Sequence, residues 1–211
     1  MNSRNLFYVR EIQLKLYFAK NIKMLALFEL ENLFYKTYDQ KVDKILLIVK
    51  LKWLYDEIKN ENFSNEITSK FKYLIEKNLK KKILKLIEKF IDIVNSENNQ
   101  SLIKNFKTFN FEYNNIIEHI GYSFKTSLVY QLTQFNYQSC GQYLNLKDNS
   151  SIQGDLLEYV FVNIISKQKN VKRLKIKKIQ YLYQVIICYI KKCFLKFHFF
   201  FFYFFQIFFY I

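Results

Sequence analysis

An all-α fold, in a single helical domain, is what the sequence predicts, and three observations predict it. Proline is absent and glycine occurs only at Gly121, Gly141 and Gly154, so the turn chemistry that hairpins and sheets require is nearly missing. Apolar residues recur at steps of three and four along most of the chain, the period that turns one helix face toward a core. At 211 residues the chain is long enough to bury one sizeable core, and nothing in its composition asks for a second.

Taken in order, residues 6–20 form a short amphipathic start in which Leu6, Phe7, Ile12, Leu14 and Phe18 are only partly in register. A helix over 22–35 turns Ile22, Leu25, Ala26, Phe28 and Leu33 toward the core. After a polar segment, 36–44, a helix over 45–59 places Ile45, Ile48, Val49, Lys52, Trp53 and Asp56 on one stripe. Two charged side chains and an aromatic one are thereby carried onto a face that otherwise reads as buried. The polar run 60–65 contains Ser64, a candidate N-cap for the next helix.

From 67 to 94 the apolar step is unbroken through Phe71, Leu74, Ile75, Leu79, Ile83, Leu86, Ile87, Phe90, Ile91 and Val94, with Lys80, Lys81, Lys82, Lys85 and Lys89 opposite. This is one long helix or two with a break near Asn78. The polar run 95–101, NSENNQS, is the plainest loop in the chain. Residues 102–113 are short and aromatic, and 114–137 resume a helical pattern with Gly121 inside it. A mid-helix glycine costs about 1 kcal/mol against alanine and marks a kink or a close crossing. A second loop falls at 147–151, and 152–189 supplies one or two further helices.

The net charge of +15 is unevenly placed. Glu158 is the last acidic residue, residues 1–158 carry only +5, and the excess gathers around Lys167, Lys169, Lys172, Arg173, Lys175, Lys177 and Lys178. That cluster implies an anionic partner, a membrane surface, a diphosphate or nucleic acid, or else a solvated face in a lysine-rich composition. Three cysteines, Cys140, Cys188 and Cys193, have neither redox nor zinc spacing, and residues 1–10 lack the apolar run of a secretory signal. An intracellular setting, cytoplasmic or peripheral on a membrane, is expected. The stretch 193–211 is almost wholly aromatic, and its uninterrupted part is shorter than the roughly 20 residues a spanning helix needs. It reads as a membrane-dipping segment, a helix that closes the core, or read-through residues beyond a frame shift.

The order YFA, ALF-x-L-E, polar break, LKW-x-x-DEI, carried by Tyr17, Phe18, Ala19, Ala26, Leu27, Phe28, Leu51, Trp53, Asp56 and Ile58, resembles the N-terminal region of the squalene/phytoene synthase family. Residues 127–146 are similar to that family's later helix, with Gln131, Leu132 and Thr133 at its start and Tyr143 and Leu144 at its end. The resemblance spans 1–192 and implies an isoprenoid-synthase-like bundle. Such enzymes join two prenyl diphosphates, using aspartates one turn apart on two helices to hold Mg²⁺. Here the first aspartate motif falls on Tyr35, Lys36 and Asp39, so two of its three carboxylates are missing, and 131–146 contains no Asp or Glu.

The resemblance therefore implies a pseudoenzyme, similar to the branch related to the mitochondrial complex I assembly factor. It would need no cofactor, would bind an isoprenoid or lipid, and would meet a membrane or a protein partner during assembly. Asp39, Trp53 and Asp56 are the candidates for its cavity. Two alternatives stay open. An active prenyltransferase could build an atypical Mg²⁺ site from Glu29, Glu31, Asp39 and Asp43, and a basic helical protein could bind nucleic acid through the lysines of 167–178. No phosphate-binding glycine loop or Ser/His/Asp set is present, and His119 has no partner at catalytic spacing.

Overall fold

The computed structural model describes residues 8–19, 21–39, 43–135, 155–166, 181, 183 and 185–187. Among these every regular element is helical, with no strand. Helix α1 runs Tyr8–Leu16 and α2 Ile22–Asp39. Between them Ala19 takes a left-handed conformation, φ +45°. Asn21 then starts α2 by accepting the N–H groups of Lys23 and Met24 at 2.9 and 3.1 Å. Helix α3, Lys44–Lys59, is capped by Asp43, whose carboxylate accepts the Ile45 N–H at 2.9 Å.

A short α4, Glu66–Ser69, is capped by Asn65 rather than by the expected Ser64, and a 3₁₀ turn, Lys70–Leu74, comes next. Helix α5, Lys77–Val94, starts just after Glu76, so the long periodic stretch is divided slightly ahead of Asn78. Helix α6, Asn99–Ile120, opens on a capping box between Asn98 and Ser101, inside the polar run read as a loop. Helices α7, Leu128–Phe135, and α8, Leu156–Ser166, complete the series.

Gly121 is not inside a helix. It ends α6 at φ +105°, with its own N–H on the Glu118 carbonyl at 2.9 Å and the Tyr122 N–H on the Ile117 carbonyl at 3.2 Å. That pair of bonds is a Schellman stop. Phe124, in the loop beyond it, and Leu128, the first residue of α7, keep the four-residue step from Ile120, which is why the period alone runs through the glycine.

Helix α2 is the hub, packed against α1, α6, α7 and the 3₁₀ turn, while α3 lies on α5 and α5 runs along α6. The face of α2 that is buried holds Met24, Leu27, Leu30, Phe34 and Tyr35 as well as Ala26 and Phe28, whereas Ile22 and Leu25 are exposed. A helix touched on several sides is apolar around most of its circumference, so spacing cannot choose its inner face. Between α2, α5 and α6 the core is a slab of rings: Phe34 stacks on Phe90 at 4.5 Å and meets Phe109 edge-on at 6.0 Å. Helix α5 buries Leu79, Ile83, Leu86, Ile87 and Phe90 and keeps Lys81 and Lys85 outside, as its pattern requires.

The stripe read as the inner face of α3 is its outer one. Leu47, Leu51, Leu54 and Ile58 are buried, and Ile45, Val49, Lys52, Trp53 and Asp56 face solvent. Both stripes have helical spacing, and the leucine-rich one fits against α5. No helix among the described residues is long and apolar enough to cross a membrane.

Candidate functional site

The main concentration of polar chemistry lies where α1, α2, α7 and α8 meet, around Arg10. Val9, Arg10, Gln13 and Leu14 form the inner face of α1, which brings a guanidinium into the interior. All five of its N–H donors are used. Nε and Nη2 hold the two oxygens of Glu31 at 2.7 and 2.9 Å, in a bidentate fork. Nη1 donates to Glu158 at 2.7 Å and to Gln13 at 2.8 Å, and the second Nη2 hydrogen reaches the Thr126 hydroxyl at 2.8 Å. The planar faces are covered by the rings of Tyr130 at 4.6 Å and Phe28 at 4.8 Å.

The carboxylates are satisfied in turn. Glu31, on α2, also accepts from the hydroxyls of Tyr113 at 3.0 Å and Tyr35 at 3.3 Å and from the Gln131 amide at 3.2 Å. Glu158, on α8, accepts from the Thr126 hydroxyl at 2.6 Å and the Ser127 N–H at 2.7 Å. It thus sits at the N-terminus of α7, where the helix dipole favours a negative charge. Each buried ion costs several kcal/mol of lost hydration, which this number of charge-assisted bonds is needed to offset.

Proton affinities follow from that packing. Burial lifts the hydroxyls of Tyr35 and Tyr113 well above the ordinary tyrosine range, the Glu31 charge reinforces it, and Arg10 opposes it. Tyr130 is raised as well, by burial first, with Arg10 again opposing. Burial pushes the Glu158 carboxyl up, while Arg10 and the Thr126 and Ser127 donors pull it back. Burial works against the Arg10 charge, but Glu31, the tyrosines and Glu158 outweigh it and hold the guanidinium above its usual value. With all five donors of Arg10 engaged and Glu31 and Glu158 bound to it, the cluster ties α1, α2 and α8 together.

Beside it opens a cleft of about 720 Å³ between the end of α1 and the loop 122–127. Its floor is aromatic: Phe18 meets Tyr122 at 4.8 Å and Phe124 at 5.3 Å, both edge-on. The loop is pinned by Asn110 and Asn114, whose amides donate to the Thr126 carbonyl at 3.1 and 3.2 Å, while Asn114 accepts the Thr126 N–H at 2.8 Å. Asp155 joins cleft to cluster by accepting from Tyr17 at 2.8 Å and Gln13 at 3.2 Å. Ser123 and Lys125 are exposed at the cleft and have no hydrogen-bond or ion-pair partner among the described residues.

Of the carboxylates and cavity residues proposed from the sequence, one is found here. Glu31 is at the centre, bound to Arg10, whereas Glu29 faces outward to Lys70 at 3.2 Å and Asp43 caps α3. Two residues apart on a helix, Glu29 and Glu31 point in different directions, so the four-carboxylate metal set is split. No group of three metal-ligating side chains occurs among the described residues. Asp39 is the last residue of α2, and its side chain lies outside the described set. Trp53 and Asp56 are on the exterior of α3, so they line no interior cavity. His119 is exposed. Lys167, Lys169, Lys172, Arg173, Lys175, Lys177 and Lys178, the cysteines and the aromatic stretch 193–211 all lie outside the described residues.

Arg10, Gln13, Thr126 and Glu158 were not indicated by any motif. One signal was present: Arg10 is one of three arginines against thirty lysines, at helical spacing from Gln13 and Leu14, and Glu158 stands alone in the apolar run LLEYVFV. Comparison with known family models, with curated proteins and with solved structures finds no match for this chain.

Proposed function

We propose that this is a non-catalytic helical protein of squalene/phytoene synthase-like ancestry that binds an isoprenoid or lipid-like amphiphile and acts in assembly at a membrane. The observation that carries the reading is the use of the two most deeply buried carboxylates, Glu31 and Glu158, as ligands of Arg10. A prenyl diphosphate synthase needs inward carboxylates open to Mg²⁺. Here Glu31 and Glu158 are taken up by Arg10, which supports a reading without Mg²⁺ at these two carboxylates. The slab of Phe34, Phe90 and Phe109 occupies the space between α2, α5 and α6, so the ligand seat moves from the interior to the cleft. There an aromatic floor suits an apolar chain, and Lys125 with Ser123 suits an anionic head.

The test is diphosphate release from farnesyl or geranylgeranyl diphosphate with Mg²⁺, by the wild type and by an Asp39→Ala, Asp43→Ala double variant. No release from either is expected. Release that depends on those aspartates would make the protein an enzyme with a rearranged metal site. Retention of farnesyl diphosphate in calorimetry, weakened by Lys125→Glu, is the expected positive result for the cleft.

A further inference from the structure

The outer face of α3 has no partner among the described residues and does have a chemistry. Ile45, Val49 and Trp53 stand at i, i+4 and i+8, with Leu46 beside them, and their exposures are 71, 54, 41 and 48 % respectively. At 1.5 Å per residue they form an apolar stripe about 12 Å long. The opposite face of the same helix is anchored in the core by Leu47, Leu51, Leu54 and Ile58, and Asp43 fixes its first turn. The stripe is therefore rigidly presented, and contiguous exposed apolar surface of this kind marks a contact site.

Lysines border it on both edges. On a helical wheel Lys52 flanks the Ile45 side and Lys50 flanks the Leu46 side, and both are exposed without an ion pair among the described residues. Asp56 comes one turn further along, beyond the apolar part. An apolar stripe with a tryptophan and with lysines on either edge is the pattern of a helix that lies in a bilayer interface. The apolar side chains enter the headgroup boundary, the indole sits at the interface, and the ammonium groups reach anionic headgroups. A protein helix packed on this stripe would have to cover Lys50 or Lys52, whereas an anionic lipid surface pairs with both.

We infer that the outer face of α3, centred on Ile45, Val49 and Trp53 between Lys50 and Lys52, is a docking surface for an anionic lipid membrane. This rests on the membrane reading above and names the part of the fold that would make the contact.

Trp53 is the only tryptophan in the chain, so its emission reports from this face alone. The full chain is titrated with vesicles of phosphatidylglycerol and phosphatidylcholine, or of phosphatidylcholine alone, following tryptophan emission, its quenching by lipids brominated on the acyl chain, and flotation. Expected are a blue shift and quenching with the anionic vesicles, reduced by high salt. An Ile45→Asp, Val49→Asp variant, both positions being exposed, keeps its helical circular dichroism and partitions roughly tenfold less or worse. Flotation with unchanged Trp53 emission overturns the assignment to α3 and leaves the membrane reading in place. Neither flotation nor shift overturns both. A concentration-dependent blue shift without vesicles, abolished in the double variant, assigns the face to a second copy of the chain and overturns the lipid proposal.

Discussion

The two parts of the interior are held by opposite physics. Between α2, α5 and α6, Phe34, Phe90, Phe106 and Phe109 fill space with rings at 4.5 to 6.1 Å and demand only volume. A few residues away along α2 and α6, Glu31 and Tyr113 belong instead to a cluster of charges that demands every partner. A ring can be exchanged for another apolar group of similar size at modest cost. A member of the cluster cannot be removed without leaving its partners ionised and dry. Specificity of packing is thus concentrated where α1, α2, α7 and α8 meet, and bulk stabilisation where α2, α5 and α6 meet.

The largest expected effect tests that contrast directly. Arg10→Met leaves Glu31 and Glu158 uncompensated and costs about 3 to 5 kcal/mol in urea unfolding, whereas Phe90→Leu in the slab costs less than about 1.5 kcal/mol. A triple variant, Arg10→Met with Glu31→Leu and Glu158→Leu, recovers most of the loss. Equal costs for the two single variants would erase the distinction.

Alkaline pH separates the two parts next, because only one of them titrates. The hydroxyls of Tyr35, Tyr113 and Tyr130 are raised above the ordinary value of 10.0 in the folded protein. Raised acids contribute stability that is fully present below the unfolded value and is lost as pH rises toward the folded one. Above pH 10 each such tyrosine therefore weakens the fold by about 1.4 kcal/mol per pH unit, ~4 kcal/mol per unit for the three together. Urea midpoints from pH 8 to 11 should be level at first and then fall steeply. A flat profile through pH 11 would mean that these hydroxyls ionise in place.

Smaller effects sharpen the boundary between the parts. Tyr113→Phe removes one donor to Glu31 and costs about 2 kcal/mol, in the range of a hydrogen bond to a charged group, and its neighbour on the slab side, Phe109, is untouched. Gly121→Ala costs about 1 kcal/mol from the left-handed backbone alone, because nothing lies within 4 Å of the added carbon. Since Gly121 releases the loop that brings Thr126 and Ser127 to Glu158, the melting temperature of this variant should fall while its helix content stays constant. A loss as large as that of Tyr113→Phe would show that the loop's course, and not the glycine alone, is disturbed.

Helix α5 was legible in the sequence because its apolar and charged residues separate cleanly onto two sides. Helix α3 was legible as a helix and not as an orientation, since Ile45, Val49 and Trp53 match the period as well as Leu47, Leu51 and Leu54 do. The outcome depends on which stripe meets α5, a long-range fact. Gly121 was misplaced because Phe124 and Leu128 continue the period of Ile120 past a stop that depends on a positive φ. The site was least legible. Sequence reasoning assigns charged residues to water by default, and Arg10, Glu31 and Glu158 are inside because they find one another across the chain. Only the choice of arginine over lysine hinted at it, the planar guanidinium being the cation best suited to two carboxylates and two ring faces.

The positions of those three residues along the chain also set an order of events. Arg10 is 21 residues from Glu31 and 148 from Glu158. On a ribosome adding about 5 to 20 residues per second, α1 is made several seconds before α8 exists to receive it. Closing so long a loop is slow, and contacts of that separation tend to form after the rate-limiting step. The arginine that enters the interior is thus made well before Glu158 and is among the last groups to be satisfied. A substitution there should speed unfolding far more than it slows folding.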